Sequence, residues 1–258
     1  DLMNFMRDHL EGTPFDMRKD PGAGPFGSPY RWRPLEWKVS DDPNAPLYCN
    51  ERATATQQTG FVFVAESRNW LPDPVGGILW FGVDDAATTV FNPMYCGITE
   101  VPECFREGNG DLNTYSPTSA FWLFNLVANM CYSRYDLMSE DAIMVQKELE
   151  TGFIDGMTLV DETAQKLYSQ NEKEAREYLT AYSLNAAGKT FKRWKKLSEY
   201  LLVKYIDGNI KLESGGKFST TPTGYPMMPE QPGYPDSWKK TVINATGDKL
   251  LVPSENGH

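Results

Sequence analysis

Apolar positions follow two different rhythms in the two halves of this chain. Residues 52–68, "RATATQQTGFVFVAESR", put a Thr-rich half before the alternating run "FVFVA", which predicts one long strand with one face buried. After the turn "WLPDPVGG", the segments "ILWFGV" (78–83) and "TTVFNPMYCGI" (88–98) flank "DDAA" as the arms of a hairpin. Both arms are apolar enough for burial on two faces, and the short connections make three successive antiparallel strands. From Ser116 the period changes. "SPTSAFWLFNLVANMCYSRYDLM" predicts a well-buried helix with Ser116 as N-cap and Pro117 at its first position. Two longer amphipathic stretches follow, "SEDAIMVQKELETGFIDGMTLVDETAQKLYSQ" and "NEKEAREYLTAYSLNAAGKTFKRWKKLSEYLLVKYI". They read as helices packed across the outside of a sheet, the second broken near Gly188.

The ends are less regular. "DLMNFMRDHL" is apolar at Leu2, Met3, Phe5, Met6 and Leu10, a short helix ended by the Gly12-Thr13-Pro14 turn. Residues 17–47 are too rich in Pro and Gly for regular structure, but Phe26, Tyr30, Trp32 and Trp37 make them a packed loop. After Gly208 comes an extended tail, "TTPTGYPMMPEQPGYP", closed by a short strand candidate, "KTVIN". Strands followed by helices predict an α+β fold. The expectation is a single domain over 1–258, strand-rich over about 48–100, helix-rich over about 116–206, with a Pro-rich tail over about 218–258.

Charge narrows the partners. The net charge is −10 and the pI about 4.8, so no nucleic acid is expected as partner. The basic run "KTFKRWKK" reads as a solvated helix face. No apolar run reaches the ~20 residues of a membrane span, and the first residues show neither the basic nor the apolar region of a signal peptide. The four cysteines, Cys49, Cys96, Cys104 and Cys131, form no Cys-x-x-Cys pair. Cys96 and Cys104 are near enough in sequence to bridge across a loop, but buried free thiols are the default.

"RDHLEGTPFD" (7–16) gathers Arg7, Asp8, His9, Glu11 and Asp16 around one turn. The only other histidine is His258, so a metal site lacks ligands, and no metal is expected; a turn held by side-chain hydrogen bonds is the favoured reading. Glu11 and Asp16 can still bind the amine of a substrate. There is no G-x-S-x-G elbow, no GxGxxG and no Walker sequence, so neither a serine triad nor an organic cofactor is supported. On the predicted strand, Arg52, Gln57 and Gln58 concentrate polar groups. One of the two amides faces a polar cleft, or both serve cross-strand bonding. Asp84 and Asp85 fall where a turn favours Asp for backbone reasons.

Four blocks of sequence together resemble the dipeptidase A family related to secernins, which are cysteine N-terminal-nucleophile hydrolases. They are "RDHLEGTPFDM", "GPFGSPYRW", "ERATATQQTGFVFVAESRNWLPDPVGGILWFGVDDAATTVFNPMYCGITEVPECF" and "AFWLFNLVANMCYSRYD". The resemblance runs in order from about residue 5 to about residue 205. It implies part of a four-layer αββα sandwich that hydrolyses short peptides without metal or cofactor. In such enzymes the first residue of the mature chain supplies both thiol nucleophile and α-amine base, which fits the scarcity of histidine. Residue 1 here is Asp1, and the blocks that open this chain belong to the middle of a family member. The resemblance therefore implies a C-terminal portion, with the nucleophile on a missing N-terminal segment of the same protein that acts as a partner, and a possible homo-oligomer. The residues expected to recognise the ends of a peptide substrate are His9, Glu11, Asp16 and Arg52. A non-catalytic secernin-like scaffold, or an acylase of the same mechanism, are the alternatives.

Overall fold

The computed structural model describes residues 1–30, 35–49 and 52–252. Trp32 and His258, named above, lie outside the described residues. The chain opens with helix α1 (Leu2–Met6), a turn, and two single 3-10 turns at Met17–Lys19 and Pro21–Ala23. Strands β1 (Glu36–Trp37) and β2 (Tyr48–Cys49) pair antiparallel, with Trp37 stacked on Tyr48. The loop is packed up to Tyr30, whereas residues 38–44 are exposed, Val39 at 82%. Tyr30 is buried, and the Phe26 ring lies under the Arg134 guanidinium at 5.3 Å.

Strand β3 (Phe61–Ser67), one-turn helix α2 (Asp73–Gly76), β4 (Gly77–Val83) and β5 (Asn92–Tyr95) build the principal sheet, in the order β3-β4-β5 and antiparallel throughout. The register sets Phe63 opposite Phe81 and Ile78 opposite Tyr95. The long strand predicted over 52–68 is thus confined to its second half. Residues 56–59 close a turn instead, in which the Thr59 N–H and hydroxyl both donate to the Thr56 carbonyl at 3.1 and 2.7 Å. Threonines that bond their own backbone compete with a ladder. Gln57 and Gln58 sit on that turn, so the strand alternation argued for them does not apply.

Helices α3 (Ala120–Ser133), α4 (Tyr135–Tyr168) and α5 (Glu172–Tyr205) follow. α3 starts later than Ser116 because the Ser116 hydroxyl donates to Asn109 at 2.6 Å rather than capping; Ser119 takes the N-cap position. α4 and α5 have 34 residues each, about 50 Å long, and lie along one another. α5 runs through Gly188 unbroken. Ala186, Ala187 and Thr190 are buried around it, and that packing outweighs the ~1 kcal/mol a helical glycine costs. Hairpin β6–β7 (Glu213–Ser214, Lys217–Phe218), helix α6 (Asp236–Thr246) and a 3-10 turn at Gly247–Leu250 follow. "KTVIN" lies inside α6, not in a strand. Five residues cannot separate the two periods, and Trp238 and Val242, four apart, set the helical one.

The core lies between one face of the sheet and the long helices. Val62, Ile78, Trp80 and Tyr95 meet Leu149, Phe153, Leu179 and Leu197, and Phe124 stacks on Trp194 at 4.7 Å. Arg68, at the end of β3, makes a buried ion pair with Asp161 of α4, and the Tyr95 hydroxyl donates to the same carboxylate at 2.7 Å. The other face of the sheet is different. Phe61, Phe63 and Ala65 are exposed there beside half-buried Leu79 and Phe81, with Phe61 stacked on Phe63 and on Phe81. The fold is mixed helix and antiparallel sheet, as the sequence predicts.

Candidate functional site

The turn after α1 is built almost wholly from its own side chains. Leu10 and Gly12 take left-handed backbone angles (φ 63° and 77°), a conformation that non-glycine residues adopt at a cost. Three carboxylates hold them there. Asp8 accepts from the Leu10 N–H at 2.9 Å, Glu11 from the His9 N–H at 3.1 Å, and Asp16 from the Gly12 N–H at 2.9 Å. Asp16 also takes the Arg18 guanidinium in two bonds, at 2.9 and 2.8 Å. Those bonds hold the Asp16 carboxyl far below the usual carboxylate range. The turn is anchored to the 52–60 segment where the Ala55 N–H donates to the Asp8 carbonyl at 3.1 Å.

His9 points inward and is 1% exposed. Its ring meets Tyr30 edge-on at 4.7 Å and Tyr135 at 6.2 Å, and its Nδ1 lies 3.5 Å from Glu11. Burial lowers its pKa against the pull of Asp85 and Glu11, so the ring is neutral at pH 7. Its Nε2 is buried with no hydrogen-bond partner among the described residues.

Beneath this turn lies a group that turn statistics pass over. Asp84 and Asp85 end β4, yet both are buried. Asp85 accepts from the Tyr30 hydroxyl, from the Tyr132 hydroxyl at 3.2 Å and from the Ala87 N–H at 3.0 Å. Burial pushes the Asp85 carboxyl up, opposed by these donors. Burial, then the charge of Asp85, pushes the Tyr30, Tyr132 and Tyr135 hydroxyls up as well, so they remain protonated donors. Asp84 adopts φ 66°, accepts from Asn125 at 3.0 Å through one oxygen, and keeps the other buried without a partner. Burial raises its pKa to about 6.

The loop carrying the two aspartates is stapled from three directions. Arg7 donates to the carbonyls of Ala86 and Thr89 at 3.2 and 3.3 Å, and to Glu150 of α4 at 2.5 Å. Glu150 accepts from the Phe91 N–H at 2.8 Å, and Gln146 donates to the carbonyls of Ala87 and Thr89 at 3.0 and 2.5 Å. Such a loop, its carbonyls and amides met by Arg7 just after α1 and by Gln146 and Glu150 of α4, is held in one arrangement.

Of the four residues expected to bind substrate, the structure places His9, Glu11 and Asp16 in one turn, with His9 and Asp16 buried and Glu11 exposed. Arg52 is exposed on the neighbouring segment, three residues before Ala55. Asp84, Asp85, Tyr30, Tyr132 and Tyr135 were not anticipated. The available signal was a pair of aspartates followed by Ala-Ala, between two arms apolar enough to be buried.

The cysteines depart from the default of buried thiols. Only Cys131 is buried, Cys104 is half-buried, Cys49 and Cys96 are exposed, and all four are free. Burial pushes the Cys131 thiol up to about 12 and the Cys104 thiol up to about 11. Neither is a thiolate at neutral pH. Among the described residues there is no cluster of three or more metal-ligating side chains, and no helix is long and apolar enough to cross a membrane.

Two comparisons bear on this geometry. Residues 1–148, which carry the whole turn, the Asp84–Asp85 loop and the three tyrosines, match the model of peptidase family C69. Over 137 residues the chain is 26% identical to a probable dipeptidase B of Lactococcus lactis subsp. lactis (strain IL1403). That alignment takes in 53% of this chain and 24% of the relative, so the chain spans about a quarter of the length of the curated protein it matches.

Proposed function

This chain belongs to peptidase family C69, and from that premise we propose that the whole protein is a cysteine-type dipeptidase. Its nucleophile is an N-terminal cysteine on polypeptide preceding Asp1, and this chain is the C-terminal portion of the same single domain. The likeness to a probable dipeptidase B carries the reading, and two features of this chain support it. Two of the four thiols, Cys104 and Cys131, are held neutral by burial, and the buried imidazole is fixed by aromatic rings rather than poised beside a thiol. A thiol at the chain start, with its own α-amine as base, needs neither. It attacks the scissile carbonyl, its proton passes to the amine and then to the leaving amino group, and water releases the acyl half.

In this reading the face with exposed Phe61 and Phe63 and half-buried Phe81 is covered by a second sheet, which completes an αββα sandwich. An aromatic face of that extent is unfavourable in water. Glu11 and Arg52, which are exposed, meet the charged ends of the peptide. His9 and Asp16 hold the turn that presents Glu11. No metal or cofactor takes part.

The test is hydrolysis of a dipeptide panel by the full-length protein and by its variant with the first mature cysteine changed to alanine. The reading expects amino acid release that falls at least about 10³-fold in the variant. Undiminished hydrolysis in the variant overturns the mechanism. No hydrolysis of any dipeptide, with hydrolysis of acylated amines, moves the protein to the acylase alternative, and no hydrolysis of either leaves the scaffold alternative.

A further inference from the structure

A groove borders the 7–16 turn on the side of Arg18. The loop of residues 16–27, the first turn of α4 and one side of α6 enclose about 370 Å³, at the lower end of the ~300–1,000 Å³ typical of small-molecule sites. Its chemistry is mixed. Lys19, Asp20 and Asp136 line it, with the Trp238 indole and Ser237 on the α6 side. Arg18 also lines it but is already committed to Asp16 through two hydrogen bonds. Lys19 is held more loosely: its Nζ pairs with Asp16 at 3.9 Å and donates to the Thr13 carbonyl at 3.5 Å, while 66% of its side chain stays exposed. Neither Asp20 nor Asp136 is in an ion pair among the described residues. Asp136 is fixed in place, since its N–H donates to the Phe26 carbonyl at 3.2 Å.

We propose that this groove binds a small zwitterion bearing both an α-ammonium and an α-carboxylate. Lys19 receives the carboxylate, Asp20 and Asp136 receive the ammonium, and the Trp238 indole covers the side chain. An apolar ligand would desolvate three charges and pair none of them. An anion would meet two carboxylates, and a simple cation would add positive charge beside Arg18 and Lys19 and leave Lys19 covered with only its long contacts to Asp16 and Thr13. Only a ligand with both signs answers every group.

The outer wall gives the site a consequence. α6 has no buried residue, and its contact with the body is a stripe of half-buried Trp238, Val242 and Thr246, one per turn. A helix held so lightly opens easily, and a ligand bridging it to Lys19 and Asp136 holds it down. The inference rests on the peptidase reading only for the ligand's source, because a dipeptide and the amino acids released from it carry the same two charges.

The experiment uses the full-length protein with its first mature cysteine changed to alanine, titrated calorimetrically with leucine, alanyl-leucine, N-acetyl-leucine and leucinamide, with hydrogen exchange followed over 236–246. Leucine or alanyl-leucine should bind, and whichever binds tighter identifies the source as product or substrate. Removing either charge should weaken binding about tenfold or more. Ligand should slow exchange in α6, and Lys19→Gln, Asp136→Asn and Trp238→Ala should each abolish that protection. All three side chains lie outside the core, so unchanged circular dichroism is expected in the variants. Equal binding of leucine and N-acetyl-leucine, binding indifferent to Lys19→Gln and Trp238→Ala, or no protection of α6 overturns the proposal. Dipeptide hydrolysis by the unsubstituted enzyme is scored separately. Hydrolysis without groove binding fails this inference alone, and groove binding without hydrolysis fails the peptidase reading alone.

Discussion

Asp85 is the acceptor that joins three separate parts of the buried site. Replacing it with alanine leaves the Tyr30 and Tyr132 hydroxyls and the Ala87 N–H without their acceptor in a buried setting. Unmet donors of this kind cost ~1–3 kcal/mol each. Asp85→Ala should therefore lose about 3 kcal/mol or more in urea unfolding, and a loss under about 0.5 kcal/mol would show that the network is not closed. Asp84 makes a separate prediction through pH. Its pKa is raised from 3.8 to about 6 in the folded protein. The folded state then binds its proton more tightly than the unfolded chain. That contribution is fully present below about pH 4 and is lost as pH rises to about 6, worth up to about 3 kcal/mol. Asp84→Asn has no such loss. Its stability relative to the unsubstituted protein should climb between pH 4 and 6 and then level off; parallel stability curves for the two proteins would contradict the buried, half-partnered geometry of Asp84.

At the level of elements, the buried Arg68–Asp161 ion pair ties the sheet to α4. Arg68→Ala removes the partner of Asp161 and strands a carboxylate that also serves Tyr95. A broken buried pair costs ~3–5 kcal/mol, whereas Tyr95→Phe should cost only about 1 kcal/mol. Chemical denaturation of both variants checks the ratio, and equal effects would mean that the ion pair contributes nothing beyond the hydroxyl. The sequence made this layer readable where a period persists. β4 and β5 come from two strongly apolar arms, β5 buried at every position, and α4 and α5 sustain the helical period over 34 residues each. It misled where local chemistry competes with period: the Thr56–Thr59 turn inside a β-rich run, the Asn109 bond that draws Ser116 from a capping role, and "KTVIN", too short to choose. The candidate site was half legible. The 7–16 turn announces itself by charge density, but two aspartates look the same in a solvated turn and a buried one. The partners that meet them are far away in the chain: Tyr30 and Tyr132 for Asp85, 55 and 47 residues off, and Asn125 for Asp84, 41 residues off.

The molecule as a whole has one well-covered sheet face and one that is not. The helical face is sealed by α4 and α5, and the other shows Phe61 and Phe63 at 61% and 49% exposure. Expressed alone, these 258 residues should associate through that face, and Phe61→Ser with Phe63→Ser should shift sedimentation toward monomer. A compact monomer at high concentration without the substitutions would speak against the sandwich. The central claim, that the reacting thiol belongs to a chain start and not to this segment, is tested most directly by limiting alkylation of the full-length protein at pH 7 with peptide mapping. The account predicts that loss of dipeptide hydrolysis tracks labelling of an N-terminal cysteine, while Cys104 and Cys131 stay unlabelled. Activity lost in step with labelling at Cys49, Cys96, Cys104 or Cys131, with any N-terminal residue unmodified, would contradict it.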